Sequence, residues 1–113
     1  MKNEYIAYNG EKFTIEWYFD SNGKSVSLEY FESSDIPRKA KIFHLFKVMS
    51  LTGIINNIEK FRYEGDEIYA FKSQPDRFLC FFFEGKKIIV TNGFEKKQDK
   101  LPLTEKRRAL NFK

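Results

Sequence analysis

The side chains with the clearest chemical potential in this chain are cations. Lys72 and Arg77 stand at the end of one β-forming run and the start of the next, and Lys96 and Lys97 follow a third. If those runs form an antiparallel meander, the 72–77 turn and the exit near 93–97 fall at the same edge of the sheet. Lys72, Arg77, Lys96 and Lys97 would then converge from sequence-distant positions. Such a group can hold phosphate oxygens and stabilise charge on a pentacoordinate phosphorane. Arg77 is the strongest member, because a guanidinium offers two donors to one phosphate. The same residues could instead be a ring of solvated surface cations, and spacing alone does not separate the two readings.

Other chemistry finds little support. One His, one Cys and no acidic cluster of calcium-loop type leave a metal site without ligands. The 6 Gly are scattered, so no phosphate-cradling loop is formed. No cofactor is expected. Cys80 lies inside Phe78-Leu79-Cys80-Phe81-Phe82-Phe83 and reads as a small core residue. His44 sits between Phe43 and Leu45 and reads as an ordinary helix-side histidine. A Cys80–His44 nucleophilic pair would lack a third, orienting group.

The charge is unevenly placed. Of the formal +4, residues 86–113 hold nine basic and three acidic side chains, while residues 1–85 hold eleven and thirteen. A basic C-terminal quarter on a near-neutral body suits an anionic partner, or a solvated surface. With 113 residues the chain is expected to form a single domain spanning 1–113. No run reaches the ~18 apolar residues of a membrane helix, and the first residues lack the apolar stretch of a signal peptide. A cytoplasmic setting with Cys80 as a free thiol is expected. The 13 Phe, 6 Tyr and 1 Trp are a ready core for so short a chain. Each aromatic buries roughly 150–250 Å².

Strands and helices have to bring these cations together. Residues 12–19 are rich in β-formers and form a strand, closed by a turn over Asp20-Ser21-Asn22-Gly23. Residues 25–31 fit a hairpin strand by alternation and a short helix behind a Ser25 cap, and periodicity does not decide. Ser34 or Asp35 can cap a helix over 36–51, with Pro37 in its first turn. Ile42, Leu45, Phe46 and Met49 make its apolar stripe, and Gly53 its C′ residue. Residues 54–62 read as a connector. Strands follow over 66–73, 77–84 and 86–92, the last ended by Gly93-Phe94. The 78–83 run, apolar on both parities, predicts a strand covered on both faces, or covered on one with a binding surface on the other. A short helix over 102–110 closes the chain. The sum is an α+β fold with helices gathered on one face of an antiparallel sheet.

The stretch 66–110 resembles the RelE/HigB toxin superfamily, with the phage-derived, HigB-like branch the most similar. The resemblance is carried by Asp66-Glu67-Ile68-Tyr69-Ala70-Phe71-Lys72, Asp76-Arg77-Phe78-Leu79-Cys80-Phe81-Phe82, Asn92-Gly93-Phe94-Glu95-Lys96-Lys97 and residues 102–108. Gly23 to Glu32 looks like that branch's first helix, which turns the ambiguous segment toward helix. The resemblance implies a RelE-like, microbial ribonuclease-type sandwich of order β-α-α-β-β-β(-α). It also implies the toxin of a type II toxin–antitoxin system, an endoribonuclease that cuts mRNA on the ribosome. The implied partners are mRNA, the ribosome and a cognate antitoxin, often a helix-turn-helix protein, with no membrane. Carried over by position, Lys72 and Arg77 would bind the scissile phosphate and stabilise the transition state. Lys96 or Lys97 would protonate or steady the leaving 5′-oxygen. Lys60 resembles a basic residue before the meander, and with Arg62 and Lys100 it is expected to bind RNA. The chain departs from the pattern in three places. Ala70 stands where Glu or a basic residue is common, Asp76 where Tyr is usual, and no Tyr or His follows Lys97. A lysine of lowered pKa, Tyr63 or Tyr69 would have to supply the base. The departures suit an alternative, a non-enzymatic member of the fold such as a ParE-like gyrase inhibitor or a phage-derived binding protein.

Overall fold

A computed structural model describes residues 5–98 and 100–113. It is an α+β structure with one mixed six-stranded sheet and three helices among those residues. The strands are β1 (Ile6–Asn9), β2 (Thr14–Trp17), β3 (Phe61–Tyr63), β4 (Tyr69–Ser73), β5 (Asp76–Phe83) and β6 (Lys87–Glu95). The helices are α1 (Val26–Ser33), α2 (Ile36–Thr52) and α3 (Leu103–Phe112). The sheet order is β1-β2-β6-β5-β4-β3.

The helices form where local chemistry directs them. Ser25 caps α1, its hydroxyl accepting from the Leu28 N–H at 3.2 Å. Asp35 caps α2, accepting from the Arg38 N–H, with Pro37 in the first turn. Gly53 ends α2 at φ 81° and donates its N–H to the Met49 carbonyl, the left-handed cap that glycine adopts without a Cβ penalty. The expected stripe of Ile42, Leu45, Phe46 and Met49 is buried. It packs on Trp17, Phe71, Phe78 and Cys80 from the sheet.

Two expectations about the sheet are corrected. It is not purely antiparallel: β2 pairs with β6 in parallel, Ile15 opposite Ile88 and Trp17 opposite Val90. Nor do all helices share one face. Trp17, Phe78 and Cys80 join the core beneath α1 and α2, whereas Ala70, Leu79, Phe81 and Ile89 form a second layer with Ala109 of α3. The 78–81 run is therefore apolar on both parities because helices cover both faces. Phe82 and Phe83 stay 39% and 46% exposed where that cover ends.

Boundaries shift for physical reasons. The 66–73 strand begins only at Tyr69, because Asp66 and Glu67 take positive φ in a turn with Gly65. β6 does not stop at Asn92; Gly93 and Phe94 pair with Phe78 and Arg77. Gly93 permits this, since a Cβ there would lie 2.7 Å from the Tyr30 ring. The 54–62 connector ends in β3, whose Phe61 pairs with Phe71. β1 has no counterpart among the elements expected from the sequence.

Candidate functional site: a cationic cleft at the end of the sheet

The β4–β5 hairpin is the frame of the site. Its turn is Ser73-Gln74-Pro75-Asp76, with a cis Gln74–Pro75 peptide, as a turn with proline at its third position takes. The register sets Lys72 opposite Arg77, and Arg77 opposite Phe94 of β6. Directly paired residues project from the same face of a sheet, so Lys72, Arg77 and Phe94 form one transverse row. The Lys96 N–H then donates to the Pro75 carbonyl at 2.7 Å. That bond fastens the exit of β6 to the hairpin tip and delivers Lys96 and Lys97 beside the row.

The result is a cleft of about 270 Å³ lined by Arg62, Lys72, Arg77, Lys96, Lys97, Lys100 and Lys106, with Glu64 as the one carboxylate among the described residues. Six of the seven cations named from the sequence meet here. Lys60 does not. It closes the turn that leads into β3, its N–H donating to the Asn57 carbonyl, and it lines a different concavity with His44 of α2. Lys106 and Glu64 join the cleft without having been expected there. A signal for Glu64 exists: two residues after Arg62 at a strand end, it shares that residue's parity.

Electrostatics follow from the crowding. The Lys72 ammonium is held below the usual lysine range, first by burial and then by the nearby charges of Arg77 and Arg62; Glu64 acts in the opposite sense. The Lys72 Nζ donates to the Ile58 carbonyl at 3.1 Å. Arg77 is 9% exposed, and its Nη1 donates to the Asp76 carbonyl at 3.1 Å. Like charges held this closely cost stability unless an anion joins them.

Asp76 supplies the support beneath. Its buried carboxylate accepts Arg38 Nε at 3.0 Å, Arg38 Nη2 at 2.5 Å and the Tyr30 hydroxyl at 2.5 Å. Arg38 Nη2 also reaches the Tyr30 oxygen at 3.2 Å. One carboxylate thus ties α1 and α2 to the first residue of β5, immediately before Arg77. From the other side, Asn92 Nδ2 donates to Glu105 Oε1 at 2.9 Å and holds the first turns of α3 against β6. Lys106, one residue on, pairs with Asp66 at 3.0 Å and closes the cleft wall.

The remaining candidates are placed apart. Cys80 is buried in the α1/α2-side core, and burial pushes its thiol well up. His44 is exposed on α2. Tyr69 packs against Phe61 in a stacked pair, and the Tyr63 hydroxyl accepts the Glu67 N–H. No Tyr or His lines the cleft among the described residues. Among those residues, too, no three His, Cys, Asp or Glu gather as metal ligands, and no helix is long and apolar enough to cross a membrane.

Fold and site together define a small α+β protein with a cationic cleft between a β-hairpin, a strand exit and a C-terminal helix. Residues 29–113 match the family described as Phage derived protein Gp49-like (DUF891), and the chain belongs to that family, which is of the HigB/RelE toxin type. The matched stretch runs from α1 to residue 113 and includes every residue of the cleft. A search of curated proteins finds no match.

Proposed function

We propose that this protein is the toxin of a toxin–antitoxin pair and that it cuts mRNA at the cationic cleft. The carrying observation is the convergence of Lys72 and Arg77 on one row with Lys96 beside it, fixed by β-pairing and by the Lys96–Pro75 hydrogen bond. Arg77 and Lys72 hold the non-bridging oxygens of the scissile phosphate and offset the charge that builds in the transition state. The 2′-oxygen attacks phosphorus, the O2′–P bond forms, and the P–O5′ bond breaks to leave a cyclic phosphate. Glu64 takes the 2′ proton, and Lys96 or Lys97 returns one to the 5′-oxygen.

The substrate is mRNA engaged on the ribosome in the cytoplasm, and the cleft is also the seat for an acidic segment of a helix-turn-helix antitoxin. Induced expression should arrest growth and leave discrete mRNA ends in primer extension. Arg77→Ala should lose at least ~100-fold in cleavage, as removal of one transition-state donor does in other enzymes. Unchanged mRNA ends in that variant would overturn the site. With no Tyr or His among the described residues of the cleft, a second reading has support, a non-enzymatic binder such as a gyrase inhibitor. Growth arrest with intact mRNA and a DNA-damage response would select it.

A further inference from the structure

A second concavity lies behind the hairpin tip, lined by Lys41, His44 and Leu45 of α2, by Lys60, and by Ser73 and Gln74. Consecutive residues divide the two clefts: Lys72 lines the first, Ser73 and Gln74 the second. Residues 72 and 74 are at most ~7 Å apart along the chain. The wall is braced, since the Lys72 N–H donates to the Lys60 carbonyl at 2.7 Å and the Lys72 Nζ to the Ile58 carbonyl at 3.1 Å.

The lining is rich in donors, and among the described residues no carboxylate contributes to it. Lys41 and His44 stand three apart on α2 and so share a helix face. Lys60 and the Gln74 amide approach from two other segments. Leu45 gives the concavity an apolar floor, against which a ribose can rest. The imidazole of His44 offers an N–H donor and a flat face for a base to stack on.

We propose that this second cleft binds a backbone phosphate of the same RNA strand, flanking the phosphate held at Lys72 and Arg77. The strand passes over the Gln74–Pro75 tip from one cleft to the other. This rests on the reading of the first cleft as the RNA site. An interaction of this kind sets register along the strand without selecting bases.

The test is equilibrium binding of uncleavable 2′-O-methyl RNA, as a dinucleotide and as a ten-nucleotide strand, over a range of salt. The variants are the double substitution Lys41→Ala with Lys60→Ala, Arg77→Ala, and Lys47→Ala as an exposed α2 lysine outside either cleft. With the longer strand, the double variant should flatten the slope of log K against log salt by about 0.7 for each phosphate it no longer neutralises, while dinucleotide binding stays unchanged. Lys47→Ala should match the wild type. An unchanged slope in the double variant, with binding still weakened by Arg77→Ala, would overturn the second cleft and leave the first. Equal weakening of dinucleotide and long strand, or an equal effect from Lys47→Ala, would reduce the result to a general reduction of charge and also overturn it. Undiminished binding by Arg77→Ala would instead remove the reading on which it rests.

Discussion

Asp76 shows how much one side chain decides. From sequence it stands where a tyrosine is usual; in the structure it is a 2%-exposed carboxylate with three donors around it. Removing one partner of a buried pair leaves the other charge without compensation, at a cost of about 3–5 kcal/mol. Arg38 is partly exposed, so Arg38→Ala should fall at the lower end, near ~3 kcal/mol, in urea denaturation. A loss below ~1 kcal/mol would mean that the pair is solvated. Tyr30 gives a second readout. Burial, the bond to Asp76 and that carboxylate's charge all push its phenol up. Its folded-state pKa lies above the unfolded value, so its contribution is fully present below the ordinary tyrosine value of ~10 and is lost as pH rises beyond it. The difference between wild type and Tyr30→Phe in an alkaline absorbance titration should show one phenol ionising late, with the onset of unfolding. A difference curve centred near ~10 in still-folded protein would contradict the buried bond.

At the scale of elements, β6 carries the greatest burden. It is central in the sheet, parallel to β2 on one side and antiparallel to β5 on the other. Its last residues must run close beneath α1 to deliver Lys96. Gly93 makes that approach possible, because an added methyl would meet the rings of Tyr30 and Phe78 at 2.7–2.9 Å. Forcing a methyl group into packed surroundings typically costs about 1–3 kcal/mol. Gly93→Ala should lower stability by about that amount and, on the proposed reading of the cleft as an RNA site, should weaken RNA binding as β6 and Lys96 shift. A fully stable Gly93→Ala protein would show that α1 yields freely. Capping residues bound α2 on both sides, Asp35 at its start and Gly53 at its end. The helix can therefore hold Arg38 toward Asp76 while its apolar stripe faces the sheet.

For the molecule as a whole, charge placement opposes stability around Lys72, whose ammonium is held down by burial and by the charges of Arg77 and Arg62. Seven cations and one carboxylate among the described residues share a cavity of about 270 Å³. Added salt screens exposed charges over roughly 10 Å at 0.1 M. Raising salt should therefore raise the melting temperature of the free protein by a few degrees, and Lys72→Gln should reproduce part of that gain without salt. The sign for Lys72 is set by its lowered folded-state value. Its penalty is complete at neutral pH and fades as pH climbs toward the ordinary lysine range. A melting temperature that falls with added salt would argue against net repulsion in the cleft.

Much of this protein is legible from short stretches of chain. The stripe from Ile42 to Met49, the caps at Ser25, Asp35 and Gly53, and the doubly apolar Phe78–Phe81 run each depend on neighbours within a turn or a strand. The meander that joins Lys72, Arg77 and Lys96 is legible too, because a two-residue turn and consecutive antiparallel strands leave few registers open. Other features were decided by segments far apart in sequence. The parallel pairing of β2 with β6, the docking of α3 on the opposite face and the Asp76–Arg38–Tyr30 knot join residues dozens of positions apart. Their formation depends on which apolar faces and buried charges can be satisfied together. Lys60 parted from the other cations because the turn that leads into β3 sets it beside α2, where it lines a concavity with Lys41, His44 and Leu45. Local periodicity determined α2 and the meander, and long-range burial decided which cations share a cleft.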